Sequence, residues 1–293
     1  MNTDTPGTPR TAHPANPSAT HPANPSATHP ATHPPGRPAV RALARGGGAQ
    51  ADTDAARAGL QLVTCVSRTE VLQQRLLSSP CLQPGGLRLA AHWHCGSAAE
   101  AFNAAMAGAA GQARWLVWVH QDVVLPAGWE TGFWRALQQG LQRWPQLLVA
   151  GVYGVAGAGA SAVRAGHVLH RGEPLREAAA LPCRVDSLDE LLLAVRVDSR
   201  LRMDPALGFD FYGTDLVLQA QARGGVAAVL EGYCEHWTDT PGRDVPRHVV
   251  ERVAQSAEVF ERKWRHRLPL ATSCFQIGRA GDVRAFLSTV VAP

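Results

Sequence analysis

Trp115-Leu-Val-Trp-Val-His120-Gln-Asp122-Val-Val-Leu-Pro126 reads as a short apolar strand that runs into a histidine and an acid, then turns at a proline. A carboxylate at the carboxyl end of a strand, beside a turn, is placed to hold a divalent cation against a phosphate. His120 and Asp122 are two residues apart, so an extended chain points both to the same side, where they can face one ligand. The bland readings are an Asx turn for Asp122 and a hydrogen-bonded strand-end histidine for His120.

Outward from this stretch, short apolar runs alternate with helical ones. Strands are expected at Leu60–Val66, Leu87–Trp93, Trp115–His120 and Leu147–Val155. Helices are expected at Thr69–Leu77, Ser97–Ala110 and Gly128–Trp144. Ser97 with Glu100 three residues later forms a capping box, and Pro145 breaks the third helix. Such alternation gives an α/β fold with a mostly parallel sheet flanked by helices, and ligands in such sheets bind outside the carboxyl ends of the strands. Further on, Val163–His170 with Arg-Gly-Glu after it suggests a hairpin, and Leu188–Val195 is apolar but of ambiguous type. Tyr212–Arg223 reads as a helix stopped by Gly224-Gly225, and Val226–Tyr233 as a strand. Pro246–Arg265 reads as a long helix with Val249, Val253, Phe260 and Trp264 near one face. The cations Arg262, Lys263, Arg265 and Arg267 close that helix and read as a solvated face favoured by the helix dipole.

The N-terminal part differs in kind. Ten of the 21 prolines lie in the first 38 residues, and HPANPSAT repeats at His13–Thr20 and His21–Thr28. Proline at this density removes backbone donors, and there is almost nothing apolar to bury, so residues 1–58 read as a disordered low-complexity tail. Residues 59–240 then form the α/β domain and 241–293 a C-terminal helical extension packed on it.

Composition excludes several functions. The chain has 293 residues, 28 Lys+Arg against 24 Asp+Glu and a net charge of +4, with no dense basic block, so nucleic acid is not an expected partner. Of the 28 cations only Lys263 is a lysine, and it sits in a charged run. P-loop, kinase, Schiff-base and lysine-nucleotidyl chemistries, each needing a placed lysine, are thereby disfavoured. The six cysteines contain no CxxC pair or zinc-ligand spacing, and Cys65 and Cys234 read as buried reduced thiols. With no long apolar run and no signal-peptide core, a soluble, cytoplasmic protein is expected, leaving peripheral attachment to a membrane open.

Three more constellations carry candidate chemistry. Asp186, Asp189 and Glu190 precede an apolar run, where acids are expected to start a helix, with a general base as the alternative. Asp204-Pro-Ala-Leu-Gly-Phe-Asp210-Phe-Tyr-Gly-Thr-Asp215 places carboxylates beside aromatic rings, which suits a sugar face and equally a core edge. Tyr233-Cys-Glu235-His236-Trp237 ends a strand on a histidine, a structural residue or a ligand.

These pieces, in this order, resemble the family 2-like glycosyltransferases of GT-A fold, and within them a bacterial branch with an HQDV motif. The matching segments are Ala98–Asn103, His120–Trp129, Gly166–Val168, Val185–Leu193, the Phe209–Leu216 turn and the strand ending at His236. The resemblance covers roughly residues 59–240. It implies a sugar transferred from a nucleotide-sugar donor to a glycan or other acceptor hydroxyl, with inversion and with a Mn²⁺ or Mg²⁺ ion. By the same resemblance Ser67, Arg68 and Asn103 bind the nucleotide, with His120 and Asp122 beside it. Asp122 matches the second acid of the family's Asp-x-Asp element and His236 a distal metal ligand. Asp215 falls where the acceptor base is supplied, with Asp210 and Glu190 as alternatives. Two departures stand out: His120 replaces the first acid of Asp-x-Asp, and Gly213 occupies the usual base position. Competing readings are a degenerate domain that binds nucleotide or glycan without transfer, and a metal-dependent phosphate-ester hydrolase using His120, Asp122 and His236.

Overall fold

Trp115–Val119 is buried along its whole length, and its side chains alternate between two cores. Trp115, Val117 and Val119 enter one, and Leu116 and Trp118 the other. A strand covered on both faces has no polar side to show, which is why it reads as an unbroken apolar run. Each buried indole withdraws on the order of 150–250 Å² from water, roughly 4–6 kcal/mol at about 25 cal/mol per Å².

The structure is a computed structural model that describes residues 46–238 and 245–289. In chain order it has α1 (Gly46–Gly59), β1 (Leu60–Val66), α2 (Thr69–Gln74), β2 (Arg88–Trp93), α3 (Ala98–Gly108) and β3 (Trp115–Val119). Next come β4 (Val123–Val124), α4 (Trp129–Arg143), β5 (Leu147–Gly151), β6 (Tyr153–Ala156), β7 (Val163–His170) and β8 (Glu173–Arg176). The short β9 (Cys183–Arg184) and β10 (Ser187–Leu188) lead to β11 (Leu192–Arg196), α5 (Tyr212–Ala222), β12 (Val226–Val229) and β13 (Glu235–His236). The C-terminal part is α6 (Arg247–Trp264), a hairpin of β14 (Leu270–Ala271) and β15 (Gln276–Ile277), and α7 (Asp282–Leu287).

The main sheet has the order β2-β1-β3-β11-β5-β12-β9. Five strands point one way, while β11 and β9 run against them. The sheet is thus mostly parallel, as expected, but β11 is inserted antiparallel between the third and fourth parallel strands. Its segment is the apolar run that periodicity left ambiguous. The expected strand Leu147–Val155 divides at Val152, because β6 leaves the main sheet for a second one of order β10-β6-β7-β13-β4, with β8 on β7. Gly154 makes the crossing possible: a Cβ there would lie 2.5 Å from the Ser187 carbonyl oxygen. The chain returns to the main sheet first as the edge strand β9 and, after β10, as the antiparallel β11.

Helices cover both faces. Residues from α2 and α4 join the core of Trp115, and α3 and α5 join the core of Trp118. Ser97 caps α3 by accepting from Glu100 N (3.3 Å), and Glu100 accepts in return from Gly96 N (2.8 Å). Residues 46–58, expected in the tail, instead form most of α1, which packs on α4. Ala56 is fully buried, Arg135 pairs with Asp52 (2.7 Å), and Thr53 meets Thr131 (2.8 Å). The repeat and its histidines lie outside the described residues.

The C-terminal extension docks through a third core. Val250, Ala254, Ala257, Phe260 and Trp264 of α6 pack with Leu207, Phe211 and Leu218. Phe260 and Trp264 are buried as expected, whereas Val250 and Ala254 take the buried positions expected of Val249 and Val253. Lys263 is not on a solvated face: its ammonium lies between Asp204 (2.7 Å) and Asp215 (2.8 Å). A buried carboxylate needs a cation, and α6 supplies it. Among the described residues, no helix is long and apolar enough to cross a membrane.

Candidate functional site

A cleft of about 460 Å³ opens at the carboxyl ends of the first three strands. Val66 and Ser67 follow β1, His94 and Cys95 follow β2, and His120, Gln121 and Asp122 follow β3. This edge is where side chains of neighbouring parallel strands converge while the loops remain free to open. Phe209 and Tyr212 form another part of the wall, and Arg252 of α6 also lines it. Cys65 lines the cleft as well and is half-buried, unlike Cys234, which is buried as expected.

His120, Asp122 and His236 offer ligand atoms within 4.8 Å of one another. Strand register creates the group. β4 begins immediately after Asp122 and pairs antiparallel with β13, setting His236 opposite Val123, while Trp237 N donates to the Asp122 carbonyl (3.0 Å). His236 Nε2 lies 3.4 Å from Asp122 Oδ1, yet among the described residues that buried oxygen receives no hydrogen bond. A buried carboxylate oxygen without a donor is costly, and a cation would remove the cost. Burial brings the His120 imidazole down to about 4, against the Asp122 charge. For Asp122, burial pushes upward, but the His236 and His120 rings outweigh it and bring the carboxyl to about 2. At neutral pH the site therefore presents an uncharged His120 and an ionised Asp122, the forms that ligate metals. The residues fit a divalent ion, and two imidazoles with one carboxylate suit a first-row transition ion better than Mg²⁺, which prefers oxygen ligands.

Outer contacts hold two of these side chains. His120 Nε2 meets the Tyr212 hydroxyl (2.8 Å), which also accepts from Trp118 Nε1 (3.1 Å). His236 Nδ1 meets His170 Nδ1 (3.2 Å), because β7 pairs with β13 and sets His170 opposite His236. Burial, reinforced by the Glu190 charge, keeps the Tyr212 hydroxyl protonated well beyond its ordinary range.

The three candidate bases are placed very differently. Asp215 is fully buried and accepts from Trp264 Nε1 (2.7 Å) and Gln219 Nε2 (2.7 Å) besides facing Lys263. None of the three acids is among the residues lining the cleft, and Asp215 anchors α6. Asp210 is paired with Arg252 through both carboxylate oxygens (3.0 and 3.1 Å) and accepts from Ser256 Oγ (3.1 Å). Burial pushes Asp210 up, against the pull of Arg252. Glu190 accepts a single backbone bond, from Gly213 N (3.2 Å) at the start of α5. Burial, with the Asp210 charge added, pushes Glu190 well above the usual carboxylate range. A Cβ at Gly213 would lie 2.6 Å from the Leu188 carbonyl oxygen and 3.0 Å from Glu190 Cγ. Glu190 thus fills the space that a side chain at position 213 would claim.

Among the nucleotide candidates, Ser67 lines the cleft and its Oγ accepts from Gln121 Nε2 (2.7 Å). Gln121 Oε1 in turn accepts from Ser67 N and Arg68 N (3.1 Å each), tying the first strand's end to the third's. Arg68 is exposed at the start of α2. Asn103 is not a cleft residue: its amide pairs with Met203 O (2.9 Å) and Met203 N (3.0 Å), fixing the loop before α5. Sequence reasoning missed the roles of Gln121, Tyr212, His170 and Arg252. Tyr212 and Gln121 lie inside motifs already singled out. His170 ends a strand, as His120 nearly does, and Arg252 looks like any solvated helix cation.

No protein-family model matches the chain. A curated relative, described as "ATP synthase subunits region ORF 6" of Fuscovulum blasticum, is 30% identical over 160 residues, covering 52% of this chain and 61% of the relative. The chain thus spans about three fifths of that relative's length, and the description states no activity. Among solved structures, a mannosyltransferase from Pyrobaculum calidifontis in complex with GDP-Man and Mn²⁺ is 10% identical with a TM-score of 0.43, over 78% of this chain and 69% of that one. GalNAc-T7 with UDP, GalNAc and Mn²⁺ is 9% identical with a TM-score of 0.44, over 71% of this chain and 49% of that one.

Proposed function

We propose that the chain is a family 2-like glycosyltransferase that moves a hexose from a nucleotide sugar to an acceptor hydroxyl, with metal assistance and inversion at the anomeric carbon. The observation that carries the reading is the His120–Asp122–His236 group, two of whose members line a cleft at the parallel strands' carboxyl ends, with a buried carboxylate oxygen that His236 Nε2 approaches at 3.4 Å without a hydrogen bond. A divalent ion bound there supplies positive charge against the diphosphate of the donor.

The chain's own residues do the rest. Ser67, Arg68 and Gln121 form the face against which the nucleotide lies. Glu190 is the acceptor base: it takes the hydroxyl proton as the acceptor oxygen bonds to the anomeric carbon and the bond to the diphosphate breaks. Burial raises its affinity for a proton, the direction a base needs. Asp215 is committed to three donors and Asp210 to Arg252, which leaves Glu190 the least encumbered of the three acids. A cytoplasmic location with peripheral membrane attachment belongs to the same reading.

The test is thermal unfolding of the full chain with UDP-, GDP- and dTDP-sugars, with and without Mn²⁺. Saturation at 100 times the dissociation constant should add about 2.7 kcal/mol. The reading expects a Mn²⁺-dependent shift for one nucleotide, absent in Asp122→Ala. No shift with any nucleotide sugar, but Mn²⁺-dependent cleavage of simple phosphate esters, would replace it with the hydrolase. A second reading, binding without transfer, is favoured by the absence of room for an acid at Gly213. It predicts the same shift with no turnover to lose in Glu190→Gln.

A further inference from the structure

We infer that Tyr212 and His170 are positioning residues that preset the histidines of the triad for a cation, each by occupying the far nitrogen of one imidazole. The inference rests on the metal reading above and adds to it two side chains outside the ligand set.

A neutral imidazole has one N–H and one lone pair, so fixing the role of one nitrogen fixes the other. At His236 the geometry is direct. Nδ1 faces His170 Nδ1 at 3.2 Å, while Nε2 faces Asp122 Oδ1 at 3.4 Å. A hydrogen bond between two Nδ1 atoms needs one proton. When His236 supplies it and His170 accepts, His236 Nε2 keeps its lone pair on the side where Asp122 stands. The opposite arrangement would put N–H on Nε2 and turn a ligand into a donor.

At His120 the same logic runs through Tyr212. Trp118 Nε1 can only donate, so it uses one lone pair of the Tyr212 oxygen (3.1 Å) and fixes the hydroxyl in place. Its second lone pair can accept His120 Nε2–H at 2.8 Å, which makes Nδ1 the ring's lone-pair nitrogen, whereas the hydroxyl donating to Nε2 would put the proton on Nδ1. The rings are also braced mechanically. Trp118 and Tyr212 meet edge-on with centroids 5.5 Å apart, and His170 and His236 lie 5.1 Å apart. The fold arranges both supports independently, Tyr212 from the first turn of α5 and His170 from the last residue of β7. Outer hydrogen bonds of this kind typically carry about 10–100-fold in metal affinity.

The experiment is a Co²⁺ titration of the full chain followed by visible absorption, which reports both affinity and ligand geometry. Wild type is compared with Asp122→Asn, Tyr212→Phe, His170→Leu and His170→Asn. Asparagine and leucine are nearly the same size, but only asparagine can place an acceptor where His170 Nδ1 stands. Thermal unfolding without metal is recorded for each variant. The expected result is a Co²⁺ affinity about 10–100-fold weaker in Tyr212→Phe and His170→Leu, with altered spectra, and near-wild-type binding in His170→Asn. Tyr212→Phe alone decides if His170→Leu does not fold. Wild-type affinity and spectrum in both Tyr212→Phe and His170→Leu would overturn the positioning role while leaving the triad intact, provided Asp122→Asn loses binding. Wild type without saturable Co²⁺ binding would overturn the metal reading and this inference with it.

Discussion

Replacing Asp215 by alanine distinguishes an anchoring acid from a catalytic one. The carboxylate is fully buried and holds Trp264 Nε1 and Gln219 Nε2 at 2.7 Å and Lys263 Nζ at 2.8 Å. Removing it leaves the indole N–H without its acceptor, a cost of about 1–3 kcal/mol. It also halves the anionic surroundings of Lys263. Removing one partner of a buried pair costs about 3–5 kcal/mol, but Lys263 is 31% exposed and keeps Asp204 at 2.7 Å, so the lower part of that range applies. For a folded body of this size each kcal/mol moves Tm by about 2–4 °C, giving a loss of roughly 10 °C. The assay is thermal unfolding of the full chain by circular dichroism, beside turnover of the donor identified in the nucleotide screen. Asp215→Asn retains an acceptor for Trp264 and should fall between wild type and alanine. An Asp215→Ala protein that melts with wild type while turnover collapses would refute the anchoring role and restore Asp215 as the base.

Glu190→Gln should lower turnover about 10²–10⁴-fold with nucleotide binding retained. Because burial raises the folded-state pKa of Glu190, its stability contribution is full below the ordinary carboxylate pKa and is lost as pH rises through the raised value. The glutamine variant should therefore gain stability over wild type only on the alkaline side of that window, as read from urea midpoints against pH; unchanged turnover would exclude Glu190 as base. Gly213→Ala should cost about 1–3 kcal/mol, since the added Cβ meets the Leu188 backbone at 2.6 Å, and a urea midpoint equal to wild type would count against that tight approach. For Asp204, burial pushes the carboxyl up but Lys263 pulls it down further, so its contribution is present above the ordinary aspartate pKa and lost as pH falls through the lowered one. Lys263→Met should flatten this acid limb of the stability profile; an unchanged slope would show that the pair contributes nothing there.

The alternation of strands and helices was readable because β3 is covered on both faces and wholly apolar, while β1 carries only Gln61 and Thr64 within an otherwise apolar run. Ser97 and Glu100 marked the start of α3 for a local reason, since a helix terminus needs its free N–H groups satisfied nearby. Segment 188–195 resisted reading because a strand buried in a mixed sheet and a buried helix share one composition. The split of the 147–155 run resisted it because Gly151 and Gly154 are compatible with an unbroken strand, and only pairing with the second sheet draws β6 away. α1 was missed because its Ala-, Arg- and Gly-rich sequence follows a tail of similar composition, and only packing on α4 reveals it.

In the site, sequence alone singled out His120 and Asp122 at a strand end, although a turn closed by Val123 N to His120 O (3.2 Å), rather than an extended two-residue repeat, sets them beside one another. It also marked Glu190, Asp210 and Asp215 as the acids to choose among, without ordering them. Tertiary structure decided the rest. Pairing of β13 with β4 and β7 brings His236 to Asp122 and sets His170 behind it across more than 60 residues of chain. Docking of α6 turns Asp215 into an anchor and occupies Asp210, and close packing at Gly213 gives Glu190 its place. The physical reason is range: strand periodicity and helix capping act within a few residues, whereas burial, charge pairing and ligand convergence depend on neighbours that only the folded chain supplies.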